Sequence, residues 1–412
     1  MSEFVIETLD HGLRVVIEPM PHVCSAAVGF LARVGSARET PALAGASHFL
    51  EHMCFKGTPT RTWQDIVLGF DRLGGYYNAY TGHDRTFYFG WVRRSDLAAL
   101  MELLADMMRP ALPAEQFDLE RKVVLEEIAM YDDYLPDLTD KLLHERLFAG
   151  SALAWPILGT HEAIGALTPE AMANYLRQFY SPSNMVLIAA GNLDPDAVIE
   201  QAGSVTAAWQ PRPIPGRAPA PKVWPGSAGR RIDRFAEQAI VLAMPAPPAG
   251  SDQAETAEAV AAILGGPNSR FYWNIVQKGV APHASAHYRD YKGVGLMVLC
   301  AEGPPDRAER IAEALRTEAA ALAADGPTDA ELQRVKNTRR THLAAEAEAP
   351  YYRLAQLADD IDTFDRPRPA AERLGAVEAI DPEAVADYLS RWPIDTEGFL
   401  VSVGPRDWPP AA

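Results

Sequence analysis

Two stretches of the chain, far apart in sequence, are built to one plan. Thr168-Pro-Glu-Ala-Met-Ala-Asn-Tyr-Leu and Asp381-Pro-Glu-Ala-Val-Ala-Asp-Tyr-Leu agree in residue type and order. Each is followed by an apolar run ending in glycine, Val186-Leu-Ile-Ala-Ala-Gly191 and Phe399-Leu-Val-Ser-Val-Gly404. The offset is 213 residues at both ends (381 − 168 and 404 − 191). Thr168 and Asp381 suit helix N-caps with proline at the first helical position, and the apolar runs suit strands. A duplication of this kind requires two units of one design. The length, 412 residues, is that of two or more domains of about 100–200 residues each.

The stretch Trp209 to Gly229 contains Pro211, Pro213, Pro215, Pro219, Pro221 and Pro225 and little else that could pack. Proline at that density makes an extended, semi-rigid connector. The expected organisation is an N-terminal domain over residues 1–208, a linker over 209–229 and a homologous C-terminal domain over 230–412. Each is α+β, a sheet covered by helices.

Local patterns in the first half agree. Leu13 to Glu18 and Ser25 to Val34 read as strands. Ala42 to Phe55 reads as a helix stopped near Lys56-Gly57, and Thr62 to Leu73 as a second one ended by Gly74-Gly75. Tyr76 to Thr81 and Thr86 to Val92, joined by Gly82-His83-Asp84-Arg85, read as a hairpin. Asp96 to Met108 and Ala114 to Tyr131 read as further helices.

Composition excludes some functions. The formal net charge of −17 would repel a polyanion, so no nucleic-acid partner is expected. The charge reads as a solvated acidic surface, or as a cavity that draws in cationic peptides. Cys24, Cys54 and Cys300 are odd in number and form no C-x-x-C, which speaks against a disulfide framework and for a reducing compartment. Cys54 lies two residues from His52, on the wrong helix face for a shared ligand, and is expected to be packed. No basic, apolar leader opens the sequence and no run approaches 18 apolar residues, so no membrane partner and a cytoplasmic location are expected.

The chemistry centres on His48-Phe49-Leu50-Glu51-His52. Residues four apart share one helix face, so the two imidazoles can share one Zn2+. Glu51 borders that face and can take a proton from the attacking water. The order inverts the H-E-x-x-H arrangement. A catalytic zinc needs a third protein ligand and an open position. The candidates lie in Glu120-Arg-Lys-Val-Val-Leu-Glu-Glu-Ile. Glu120 and Glu127, seven apart, share a helix face, and Val123, Val124 and Ile128 supply a buried side. Glu126 and Glu127 differ by about 100° of rotation, and periodicity alone does not choose between them.

Ala46-Ser-His-Phe-Leu-Glu-His-Met-Cys-Phe-Lys-Gly-Thr58 resembles the inverted-zincin family of pitrilysin, insulin-degrading enzyme and the mitochondrial processing peptidase. The shorter, single-unit branch, like the beta subunit of the processing peptidase, is the best match. Thr8-Leu-Asp-His-Gly-Leu-Arg-Val-Val, Gly74-Gly-Tyr-Tyr-Asn-Ala-Tyr-Thr81, Phe179-Tyr-Ser-Pro-Ser-Asn-Met-Val, Leu264-Gly-Gly-Pro-Asn-Ser-Arg and Tyr288-Arg-Asp-Tyr-Lys-Gly-Val-Gly-Leu match in the same order. The resemblance implies a zinc metalloendopeptidase with His48, His52 and Glu127 on the metal, Glu51 as the base and Glu120 as a supporting acid. It also implies that Asn78 and Ala79 lie on an edge strand that pairs with the substrate backbone. The first domain would then be catalytic and the second inactive, and two chains would pair as a clamshell that admits short or extended peptides.

One departure bears on partners. Active members carry an arginine and a tyrosine, seven residues apart, in the second unit. Here Asn274-Ile-Val-Gln-Lys-Gly-Val-Ala-Pro-His283 puts Ile275 or Val276 at the first position and Pro282 at the second. None of these side chains donates a hydrogen bond; His283 and Tyr288, close in sequence, are the candidates for a substitute, and the sequence favours their not replacing the pair. The implied reading is the zinc-bearing subunit of a heterodimer whose related partner supplies the missing pair. The alternatives are a homodimer or monomer of altered activity, or a non-catalytic structural subunit.

Overall fold

The repeat is visible in how the strands are ordered. The computed structural model describes residues 4–409. Its first half runs β1 (Val5–Thr8), β2 (Arg14–Pro19), β3 (Ser25–Ala32), α1 (Ala46–Cys54), α2 (Trp63–Leu73), β4 (Tyr76–Thr81), β5 (Thr86–Arg93), α3 (Leu97–Met107) and α4 (Ala114–Tyr131). There follow α5 (Leu135–Leu147), α6 (His161–Ala166), α7 (Pro169–Phe179), β6 (Met185–Gly191) and α8 (Pro195–Thr206). The second half runs β7 (Gly226–Arg231), β8 (Gln238–Ala246), α9 (Ala254–Gly265), β9 (His283–Tyr291), β10 (Val294–Gly303), α10 (Ala308–Asp325) and α11 (Asp329–Glu346). It ends with α12 (Pro350–Phe364), α13 (Ala370–Glu378), α14 (Pro382–Arg391) and β11 (Phe399–Gly404).

The first sheet has the order β1-β2-β6-β3-β5-β4, the second β7-β11-β8-β10-β9. In each, one parallel pair (β2 with β6, β7 with β11) is followed by antiparallel neighbours out to the far edge. The second sheet is the first without β1. The predicted caps hold: the Thr168 side chain accepts from the Ala171 N–H, and Asp381 from the Ala384 N–H.

The compact units are not the contiguous halves of the chain. One joins the residues up to Ile128 with Trp155–Ala218 and Ala344–Pro369; the other joins Ala129–Ala154, Pro219–Leu343 and the residues from Ala370. The physical reason is that both faces of each sheet are apolar. In the first unit α1, α3 and α7 bury one face around Phe30, Phe49, Tyr88 and Leu187. The other face, with Val16, Leu31, Phe87 and Ile188, is covered by Leu354, Leu357 and Ile361 of α12. In the second unit α5 lies on β11, β8 and β7 in the same way. Apolar periodicity marks α5 and α12 as amphipathic but not which sheet each one covers.

Other expectations are corrected locally. The first helix starts at Ala46, four residues late, because Gly45 takes φ 92° and breaks the turn. Val123 is 46% exposed, so Val124 and Ile128 alone of the three form the buried side of α4. The connector packs more than expected. Trp209 is buried 5.5 Å from Phe30 with the Arg109 guanidinium 3.9 Å over its ring, and Gly226–Gly229 already belong to β7. Among the described residues no helix is long and apolar enough to cross a membrane, and all three cysteines are free.

Candidate active site

Helix α1 is short, nine residues, and would be marginal alone. Its apolar face, Phe49, Leu50, Met53 and Cys54, is fully buried. Its N-terminus is held by Glu39, which accepts from the Gly45 and Ser47 N–H groups at 2.7 Å each. The remaining face carries His48, Glu51 and His52. Cys54 is packed as expected, and burial pushes its thiol up to about 12, so it is not a thiolate ligand.

His48, His52 and Glu127 come together, with one potential ligand atom from each within 4.8 Å of the others. Both imidazole Nε2 atoms lie 3.7 Å from Glu127 Oε2. Glu126, the alternative that spacing left open, points to solvent. Two imidazoles and one carboxylate form the three-ligand set of catalytic zinc sites, with one position left open.

The surroundings fit a cation. His52 Nδ1 is 2.7 Å from Glu120 Oε1, and Lys56 Nζ is 2.8 Å from Glu120 Oε2. The hydrogen bond to a carboxylate places the His52 proton on Nδ1 and turns the Nε2 lone pair toward Glu127. Burial works against the Glu120 carboxylate, but the hydrogen bonds and charges of His52 and Lys56 outweigh it and hold it below its usual range. Burial, reinforced by His52, pushes His48 down to about 3, so its imidazole is neutral and free to ligate. For His52, burial is outweighed by Glu120, Glu51 and Glu127, which raise it. Such surroundings favour a positive charge at that ring, whether a proton or a metal ion. His48 Nδ1 has no hydrogen-bond partner among the described residues.

Glu51 is half-buried, and burial raises its carboxyl against the hydrogen bond it receives from Thr81 Oγ1 at 2.5 Å. Thr81, the last residue of β4, is in local sequence only a strand end, and Lys56 only a helix stop. Neither role follows from local pattern, since each depends on which strand or helix lies opposite. Asn78 and Ala79 do lie on an edge strand, β4. Asn78 Oδ1 accepts from the Ala79 N–H at 2.9 Å, and Asn78 Nδ2 donates to the Tyr76 hydroxyl at 3.2 Å. In the second unit Ile275 is fully buried, and the Tyr288 hydroxyl donates to the Pro247 carbonyl at 2.8 Å.

A helix presenting H-x-x-E-H beside a second helix that brings a glutamate defines the inverted class of zinc-peptidase-like proteins. Residues 14–161 match the family described as Insulinase (Peptidase family M16), and residues 166–339 match its Peptidase M16 inactive domain. The chain is 36% identical over 342 residues to an uncharacterized zinc protease of Streptomyces coelicolor, covering 79% of this chain and 73% of that one. It is 33% identical over 402 residues to an uncharacterized zinc protease of Mycobacterium tuberculosis, covering 93% and 90%. A solved protease from Helicobacter pylori shares the fold with TM-score 0.93 and 22% identity, covering 98% of this chain and 100% of that one. This chain belongs to the insulinase family of peptidases, and its named relatives are zinc proteases.

Proposed function

We propose that this protein is a zinc metalloendopeptidase acting on short or extended peptides, with the ion held by His48, His52 and Glu127. The convergence of those three side chains supports the reading above all. When bound, Zn2+ supplies a Lewis acid for the scissile carbonyl and lowers the pKa of water. Glu51, steadied through Oε2 by Thr81, keeps its other oxygen to take the proton of the attacking water and return it to the leaving amine. The Lys56–Glu120 pair fixes the His52 ring. Substrate backbone pairs with β4 at Asn78 and Ala79, by strand addition.

The chain acts as the zinc-bearing subunit beside a related partner, or a second copy of itself, in a chamber that admits unfolded peptide. The side chains at the arginine and tyrosine positions, Ile275 or Val276 and Pro282, donate no hydrogen bond, and Tyr288 already spends its hydroxyl on Pro247. This favours a heterodimer. The test is Glu51→Gln, assayed with zinc stoichiometry and with a related chain added. Zinc should be retained and kcat should fall by about 1,000-fold. Persistent hydrolysis overturns the base assignment, and full activity of the wild-type chain alone overturns the heterodimer.

A further inference from the structure

The two faces of the free edge strand β4 differ in chemistry. Tyr77, Ala79 and Thr81 stand opposite Gly90, Tyr88 and Thr86, on the face where Thr81 meets Glu51. Tyr76, Asn78 and Tyr80 stand opposite Trp91, Phe89 and Phe87. Phe87 and Phe89 belong to the apolar layer under α12, and that cover ends near the edge in Tyr351. The Tyr351 ring lies 6.0 Å from Tyr76 and 5.7 Å from Phe89, and Tyr80 lies 6.3 Å from Phe89. Tyr76 and Tyr80 remain 43% and 37% exposed. The result is a shelf with aromatic walls, a Phe89 floor and a short residue, Asn78, in the middle. The Asn78 side chain is drawn along the strand by its bonds to Tyr76 and Ala79.

A peptide paired with β4 must send its side chains alternately to the two faces, with same-face neighbours about 7 Å apart. Opposite Asn78, a side chain on the α12 face has Tyr76 and Tyr80 as diagonal neighbours, within reach of large groups. We propose that this aromatic shelf is a specificity subsite that selects a large aromatic or aliphatic residue at the substrate position opposite Asn78. The inference rests on the strand-addition reading above. The cation site on the Tyr80 ring is already taken, because the Arg85 guanidinium lies 5.7 Å over it and is held there by Asp359 and Asp362. Aromatic rings pack against one another in tilted or edge-on geometry, as those of the shelf already do.

The test uses zinc-loaded Glu51→Gln protein and fluorescein-labelled peptides of about nine Ser and Ala residues, with one Phe, Leu or Lys scanned along them. At one position Phe and Leu should bind about tenfold more tightly than Ala, and Lys should not. Tyr80→Ala and Tyr351→Ala, each combined with Glu51→Gln, should cut that Phe-to-Ala ratio below about threefold. A flat scan, a preference for Lys, or a ratio unmoved by both variants overturns the shelf. The two readings fail separately. A flat scan beside active hydrolysis by wild type with the related chain added sinks the shelf alone; Phe-selective binding without hydrolysis by wild type, alone or with that chain added, supports the shelf and sinks the peptidase.

Discussion

Helix α1 over β4 and helix α9 over β9 occupy equivalent places in two sheets of one strand order, yet among the described residues a metal-ligating cluster forms only at the first, where α4 adds Glu127 to the two histidines of α1. In the second unit the helix rests directly on the strand. A Cβ at Gly265 would sit 1.8 Å from the Ala286 backbone N, and α9 is otherwise mostly alanine and small apolar residues, with no histidine. In the first unit α1 meets β4 through side chains, Thr81 to Glu51. Stand-off between helix and edge strand is what makes room for chemistry, and close contact turns the same architecture into scaffold.

The comparison can be broken most severely at Gly265. Gly265→Ala forces a methyl group against strand backbone that has no side chain to move aside. It should destabilise the protein by about 3 kcal/mol, since overpacking of this kind is costly. Urea unfolding measures it; a wild-type midpoint would mean that α9 does not depend on direct contact with β9.

Thr81→Val tests the other side of the comparison. It keeps the shape and β-branching of the strand residue and removes the hydroxyl that steadies Glu51. Hydrogen bonds to charged groups contribute about 1.5–3 kcal/mol, so kcat should fall by about tenfold or more with zinc stoichiometry unchanged. Thr81→Ser should restore it to within about threefold. If valine left kcat unchanged, the contact would be incidental to the base.

Much of this was legible in sequence because the determining signals are local. Each copy of the repeat with its Thr168 or Asp381 N-cap and following proline, the hairpin Tyr76–Val92 and the i, i+4 histidines declare themselves within short windows of sequence. The choice of Glu127 over Glu126 depended on resemblance, because both sit on the same helix and only the packing of Val124 and Ile128 decides which one turns inward. What stayed hidden is what depends on distant partners. The placement of α5 and α12, the burial of Trp209 beside Phe30, and the contacts of Thr81 and Lys56 are fixed by tertiary neighbours, which no short window contains. The shelf formed by Tyr76, Tyr80 and Tyr351 joins residues some 270 positions apart in sequence.

The smallest effect concerns how the two helices are started. The N-cap of α9 is Gln253, whose side chain makes no capping bond and instead accepts from Trp392 Nε1 at 2.9 Å. The start of α1 depends on Glu39, 6% exposed. Burial lifts its carboxyl from about 4.5 to about 7, only partly offset by the bonds from Ser47 and Gly45. An acid whose pKa is raised on folding contributes stability that is fully present below its unfolded value and lost as pH climbs through its folded one. Glutamine cannot ionise. The stability of wild type relative to Glu39→Gln should therefore decline between about pH 4.5 and pH 8, by about 1–3 kcal/mol. Urea titrations of both proteins at four pH values measure the difference. A flat or rising difference would mean that Glu39 stays ionised across this range, held by the α1 N–H groups, so that the catalytic helix starts from a fixed charge with no pH dependence.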